Sequence, residues 1–297
     1  MKQSLSYYIT LLVIKLKGIK HNFSKDPIDV KKIRKDDVYS QKSKFFRENT
    51  LSVFQISDTL ITEVGLNKNS PNLLIFIHGG AFISGPAKHH WDAVKEIAKQ
   101  TNHKIWLCQY PKAPENKITE ISANINHVYT QALENYAPDK ISLLGDSVGG
   151  TLVTSLVQRL IIKNISLPSK IMLISPVMDA TMSNPEIENI DAIDPMLSKK
   201  GVLSAKKMCA GKMDLKNEMI SPLYGSFDNL PKTMLFLAEN DITYPDQKIA
   251  AQKLIEANTK VEIILGTNMP HIWPLLPVMK EAKKSLQQLV RILRDDA

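Results

Sequence analysis

The 297-residue chain is long enough for one large α/β domain with an accessory piece, and its 43% hydrophobic and 23% charged residues are those of an ordinary globular protein. Its two cysteines, Cys108 and Cys209, lie far apart and in different contexts, which argues against a disulfide framework or a thiolate metal site and fits a reducing, cytoplasmic compartment. The net charge of +8 is concentrated in the first 50 residues, where 12 Lys and Arg face 5 Asp and Glu; with no reading module beside it, this basic segment does not describe a nucleic-acid binder.

The chain opens on MKQSLSYYITLLVIKLKGIK, which resembles a signal peptide only superficially. Lys15 and Lys17 break the apolar stretch, no small-residue cleavage site follows, and the run is too short to span a bilayer. Leu5, Tyr8, Ile9, Leu12, Leu16 and Ile19 fall near one helical face, so the spacing predicts an amphipathic helix. Packing of that face over the body is the expectation. The alternative is a basic helix resting on an anionic membrane through residues 1–20.

Next, SVFQI and LITEV predict a β-hairpin near residues 52–64. Short apolar runs follow at Leu73–Ile77, Ile105–Cys108, Ile141–Leu144, Ile171–Ile174, Met234–Leu237 and Val261–Leu265. Helical patterns lie between or after them, near 89–102, 117–136, 148–163, 246–258 and 275–294. Continuous apolar strands alternating with helices predict a mostly parallel sheet covered on both faces, with ligands bound beyond the carboxyl ends of its strands. Residues 178–220 break the rhythm as a long insertion holding six of the eleven methionines: Met178, Met182, Met196, Met208, Met213 and Met219. These either line a pocket for acyl chains or fill gaps in a small helical cap.

The predicted strand ends carry the chemistry. Gly145-Asp-Ser-Val-Gly149 follows a buried strand and opens a helix, which predicts a nucleophile elbow at Ser147, with Gly145 and Gly149 permitting a strained turn. A serine nucleophile needs a base, an acid to orient the base, and amide donors for the oxyanion. His271, in the Pro-bounded loop NMPHIWP after the last strand, is the candidate base. His78 lies upstream of the serine, and His21, His89, His90, His103 and His127 are read as surface or structural residues. Asp241 follows the strand MLFLAEN, 94 residues after Ser147 and 30 before His271, and is the candidate acid. Glu239 competes from the same strand end, and Asp246 reads as an ordinary helix N-cap. The small residues of His78-Gly79-Gly80-Ala81, just past a strand, allow their backbone amides to approach a reacting carbonyl, and the N–H of Val148 adds another donor.

Together these residues resemble the hormone-sensitive-lipase-like family of α/β-hydrolase carboxylesterases from about residue 70 to 275. The likeness rests on His78-Gly-Gly-Ala-Phe82, Tyr110-Pro-Lys-Ala-Pro-Glu115, Gly145-Asp-Ser-Val-Gly-Gly150, Ser175-Pro-Val-Met-Asp179, Ser221-Pro-Leu223, Asp241 and His271. It implies an α/β-hydrolase fold over residues 49–297, a helical cap from residues 1–48 with the 178–220 insertion added to it, and oxyanion donors at Gly80, Ala81 and Val148. A homodimer is compatible with it. Four positions depart from the family pattern. Ala81 stands for a third glycine, its methyl narrowing the acyl or alcohol pocket, and Val148 stands for an alanine, adding bulk beside the oxyanion. Pro111-Lys112 stands for arginine and leucine. Ile272-Trp273 follows the base in place of glycine and phenylalanine, and Trp273 either walls the pocket or packs. Asp146 and Glu115 are expected to hold loops by hydrogen bonds.

The expectation is thus a serine hydrolase, without metal or organic cofactor, cleaving small-molecule or lipid esters of small to medium acyl chains through an acyl-enzyme. A deacetylase or a lipase on the same fold is the alternative within enzymes. A non-catalytic ligand receptor and a membrane-surface binding protein are the alternatives outside them.

Overall fold

The computed structural model describes residues 3–294. Its strands are β1 (Thr50–Ile56), β2 (Thr59–Val64), β3 (Asn72–Ile77), β4 (His103–Gln109), β5 (Ile141–Asp146), β6 (Lys170–Ile174), β7 (Lys232–Asn240) and β8 (Val261–Pro270). They form one sheet in the order β1-β2-β4-β3-β5-β6-β7-β8. The β1–β2 hairpin and the β2–β4 pair are antiparallel, and every pairing from β4 through β3 to β8 is parallel. Every residue of β3, β5 and β6 is buried, as expected of strands covered on both faces.

The helices are α1 (Leu5–Leu16), α2 (Ile19–Asn22), α3 (Val30–Ile33), α4 (Lys44–Asn49), α5 (Lys88–Gln100), α6 (Ile118–Asn135), α7 (Val148–Ile162), α8 (Ile187–Ile193), α9 (Lys199–Ala210), α10 (Tyr244–Glu256) and α11 (Lys280–Arg294). The two-residue period of the strands divides the core. Leu73, Ile75 and Ile77 of β3 belong to one cluster with Ile121 and Ile125 of α6, Leu152 and Leu156 of α7, and Leu254 of α10. Leu74 and Phe76 belong to the other, with Trp91, Val94 and Ile97 of α5 and Leu289 and Leu293 of α11. The last helix starts later than the periodicity predicts, because Pro274 lies in a short 3₁₀ turn, Trp273–Leu275, and Pro277 follows it.

Residues 178–220 fold as α8 and α9 with their flanking turns. Met178, Met182 and Met196 are buried, and Met208, Met213 and Met219 pack half-buried against the core, so these methionines fill the insertion. The insertion also meets the N-terminal segment. The Ile28 N–H donates to Ser204 Oγ at 3.0 Å, the Lys20 ammonium donates to the carbonyls of Asp191 and Asp194, and a Cβ at Gly201 would fall 1.8 Å from the Phe23 carbonyl oxygen. Residues 17–36 and α8–α9 therefore form one cover.

The N-terminal helix is present but turned from its expected orientation. It packs through Tyr7, Thr10 and Ile14, while Leu5, Tyr8, Ile9, Leu12 and Leu16, the face selected by periodicity for packing, point to solvent. Tyr7 and Thr10 supply the reason. Tyr7 donates its hydroxyl to the Asn268 carbonyl at 2.8 Å and Thr10 satisfies its own on the Ser6 carbonyl, so a partly polar face is the one buried. Among the described residues, no helix is long and apolar enough to cross a membrane.

Candidate active site

Ser147 occupies the turn between β5 and α7 at φ 53° and ψ −123°. Such a conformation costs a non-glycine residue about 1–3 kcal/mol and persists only where the surroundings fix it. Here the Ser147 N–H donates to the Ile174 carbonyl at 2.9 Å, and the Val177 N–H donates to the Ser147 carbonyl at 3.1 Å. The flanking glycines permit this turn by leaving room for the backbone and not by their own φ. Neither has positive φ; a Cβ at Gly149 would lie 2.0 Å from the Ile77 carbonyl oxygen, and one at Gly145 would lie 2.4 Å from the Gly149 carbonyl oxygen. They allow α7 to press against the sheet, and the serine itself carries the strain.

The loop after β3 lies against this elbow. The Gly79 N–H donates to Asp146 Oδ1 at 2.9 Å, and His90, buried on α5, sets Nε2 3.2 Å from the same carboxylate oxygen. Asp146 is buried, which works against its ionised form, but His90 and the Gly79 amide outweigh this and hold its carboxyl below the ordinary value. Asp146 thus ties the two loops together as expected. His78 packs its ring on Tyr110 at 4.5 Å, and the Tyr110 hydroxyl donates to the His78 carbonyl at 2.8 Å. Burial lowers the His78 pKa well below 6.5, so His78 is a neutral packing group. The chain then turns through Gly80 (φ 123°), Ala81 (φ 55°) and Phe82 (φ 64°). Among the described residues, the N–H groups of Gly80, Ala81 and Val148 donate to no protein acceptor. Unused amides on buried loops call for a partner.

Glu115 is held by Arg34 at 2.9 and 2.7 Å, and Arg34 also donates to the carbonyls of Ile83 and Ala113. The basic N-terminal segment thereby clamps the loop that follows β3. Lys112, one of the departures from the family pattern, pairs with Asp37 at 3.2 Å.

His271 and Asp241 meet beyond β8 and β7. His271 Nδ1 lies 2.6 Å from Asp241 Oδ2, and both side chains are buried. Asp241 also accepts from the Thr243 N–H at 2.9 Å, the Thr243 hydroxyl at 2.8 Å and Gln247 Nε2 at 2.9 Å, which fixes both its oxygens. The Ile272 N–H donates to Ser175 Oγ at 3.0 Å, so the base loop is anchored one residue from Ile174, the residue that anchors Ser147. Burial works to lower the His271 pKa, but the Asp241 charge and hydrogen bond, helped by Asp194 and Asp146, raise it above the ordinary 6.5. Among the described residues, no hydrogen bond joins Ser147 Oγ to His271; the two are linked through neighbouring backbone, at Ile174 and Ser175. Ser147 is only 8% and His271 4% exposed.

The competing acids lie elsewhere. Glu239 accepts from the Asn268 N–H at 2.8 Å. Asp246 is not the N-cap it was expected to be. That position belongs to Thr243, and Asp246 is buried in the first turn of α10 beside Asn184, its pKa raised by burial to about 6. Sequence reasoning missed Asp194. It is buried between α8 and α9, accepts from the N–H groups of Met196 and Leu197 with Oδ1, and accepts from Ile242 N–H, next to Asp241, with Oδ2. Burial and the nearby Asp241 charge push its pKa up to about 7. The signal was faint, an aspartate before proline inside an insertion. His90, one of the histidines expected to be surface or structural, is structural. Trp273 packs, with its ring 6.3 Å from Phe236 and Nε1 donating to the Leu237 carbonyl at 3.3 Å.

Among the described residues, one group of side chains has metal-like spacing: His89, His90 and Asp146 bring ligand atoms within 4.8 Å of one another. Asp146 and His90 are already engaged with each other and with the amides of Gly79 and Ala87, which accounts for both without an ion.

A family model described as the alpha/beta hydrolase fold matches residues 74–275. An esterase of Acinetobacter venetianus is 28% identical over 230 residues, 76% of each chain. An acetyl-hydrolase of Streptomyces hygroscopicus is 22% identical, over 74% of this chain and 75% of its own. A crystal structure from Staphylococcus aureus, provisionally described as an esterase, superposes with TM-score 0.85 at 28% identity, covering 94% of this chain and 97% of the other. The family match spans most of the chain and contains the whole Ser147, Asp241 and His271 arrangement, and the chain belongs to the alpha/beta hydrolase fold family, among its ester-hydrolysing serine hydrolases.

Proposed function

We propose that the protein is a carboxylesterase in which Ser147, His271 and Asp241 act as nucleophile, base and orienting acid, on esters of small to medium acyl chains. The observation that carries this reading is the buried 2.6 Å hydrogen bond from His271 to a fully fixed Asp241, anchored beside a strained Ser147.

Asp241 holds the imidazole with a proton on Nδ1, leaving Nε2 free to accept the Ser147 proton. Ser147 Oγ attacks the ester carbonyl carbon, and the carbonyl oxygen becomes an oxyanion. The free amides of Gly80, Ala81 and Val148 are the donors available to it, and removing one such donor typically costs about 10²–10³-fold. The tetrahedral intermediate collapses as His271 passes its proton to the departing alkoxide, leaving the acyl group on Ser147. Water, deprotonated by His271, attacks the acyl carbon and releases the acid, and the proton returns to Ser147. The preference for compact acyl groups rests on the family resemblance, since the side chains of Ala81 and Val148 pack in the hydrophobic core beside these donors.

The acetyl-hydrolase relative favours a second reading within the same mechanism, removal of acetyl from a decorated small molecule. Relatives named carboxylesterase/phospholipase favour a lipid ester. We further propose a cytoplasmic location, supported by the buried free thiols of Cys108 and Cys209, a cap formed by residues 1–48 with 178–220, and, on the family resemblance alone, a homodimer. The deciding experiment compares wild type with Ser147→Ala on p-nitrophenyl esters of graded length. Wild type should be fastest on short chains, and the variant should lose roughly 10⁴-fold or more while remaining folded. Hydrolysis undiminished in the variant would sink the mechanism.

A further inference from the structure

Helix α1 is apolar on both sides. Its inner side, Tyr7, Thr10 and Ile14, is buried. At about 100° per residue, Leu5, Tyr8, Ile9, Leu12 and Leu16 form a continuous stripe on the outer side, with Val13 at its edge. All six are between 46% and 77% exposed. A helix of this composition is ordinarily covered on both sides, and a stripe of this size on a folded surface marks an interaction site.

The charges around the stripe identify the partner. Lys15 and Lys17 fall on its two borders, both exposed, no acidic residue precedes Asp26 in the chain, and Glu281, the carboxylate that meets the start of α1, has both oxygens engaged by Ser4. A bordering lysine can lay its apolar stem along the stripe and hold its ammonium at the level of a phosphate. Pairing with a second copy through the same stripe would bring like-charged borders together in a symmetric contact. The helix has 12 residues, about 18 Å, too short to cross a bilayer. We propose that the outer face of α1 docks this protein on the surface of an anionic lipid bilayer.

The docking face is rigidly joined to the catalytic body. Ser4 bonds Glu281 on α11 through its N–H and its hydroxyl, both at 2.8 Å, and Gln3 Nε2 donates to the Thr267 carbonyl at 2.9 Å. Tyr7 is tied to Asn268, three residues before His271. Beyond α1, the Lys20 ammonium holds the insertion through the carbonyls of Asp191 and Asp194. A bilayer on the outer face would therefore be separated from the loop that carries the base by the thickness of α1 alone. The docking does not depend on the esterase reading, and the two fail separately.

The test is sedimentation of the full chain with phosphatidylcholine vesicles, with and without phosphatidylglycerol, at low and high salt. Hydrolysis of soluble p-nitrophenyl acetate is measured in parallel as the check on folding and on the esterase reading. Wild type should partition onto the anionic vesicles and release in salt. Leu12→Glu should reduce partitioning by at least about tenfold, and Lys15→Gln with Lys17→Gln by about fivefold per charge, with soluble hydrolysis unchanged in both. The proposal is overturned if wild type ignores anionic vesicles at low salt, or if Leu12→Glu binds as well as wild type. It is also overturned if ultracentrifugation shows a dimer that Leu12→Glu dissociates while no vesicle binding is seen, which would assign the stripe to a second copy.

Discussion

The catalytic body and the N-terminal helix obey the same helical period with opposite results. In α5 the periodic apolar residues Trp91, Val94 and Ile97 all turn inward, and nothing large and apolar is left outside. In α1 the periodic residues turn outward, and a face containing a tyrosine and a threonine turns inward. The difference teaches that amphipathic spacing identifies a face that needs an apolar partner without saying whether that partner is the protein itself. For the body, the sheet is the partner. For α1, the body already has Tyr7 and Ile14, and the richer face remains for something outside.

Substitutions can break or sharpen this contrast. The largest effect is expected inside the site. Asp241→Asn keeps the shape but loses the charge that orients His271, and kcat/KM should fall by about 10³–10⁴-fold; a loss below tenfold would give the role to another acid. Next comes the backbone beneath the elbow. Gly149→Ala drives a methyl into the Ile77 carbonyl and should cost about 3 kcal/mol or more in urea unfolding, whereas a near-neutral result would show that α7 can move away. Within α1 the two faces should differ. Ile14→Ala should cost about 2–4 kcal/mol, and Leu12→Ser on the outer face should stay within about 0.5 kcal/mol. Equal costs would mean that both faces are packed.

The smallest expected effect concerns pH. His271 must be neutral to accept the serine proton, and its pKa is raised, so activity should fall as the pH drops through a midpoint above 6.5. Asp194 contributes to that rise, and Asp194→Asn should move the acid limb of kcat/KM downward, its single amide oxygen serving either the Ile242 N–H or those of Met196 and Leu197. An unmoved limb with reduced activity would make Asp194 a purely mechanical link to the cover.

Much of this was legible in the sequence because the body is built from continuous apolar runs, and the order of Ser147, Asp241 and His271 follows from which strand each residue ends. What the sequence hid lies in side-chain pairings across long stretches of chain. Asp194 reaches the Asp241 loop from an insertion 48 residues away, and Arg34 clamps Glu115 across 81. His90 gave no sign of its partner because Asp146 lies 56 residues further on. How Gly145 and Gly149 permit the strained turn at Ser147 is hidden for a similar reason. Their need for hydrogen in place of a side chain comes from Ile77 and from the packing of α7, which no local pattern displays.

The most direct test of the central claim is to mix the protein with p-nitrophenyl butyrate, follow p-nitrophenol on the millisecond scale, and quench for peptide mass analysis. The account predicts a butyryl adduct on Ser147, released on the same timescale as turnover and absent from Ser147→Ala. Turnover with no adduct on Ser147, or with the adduct on another residue, would contradict it.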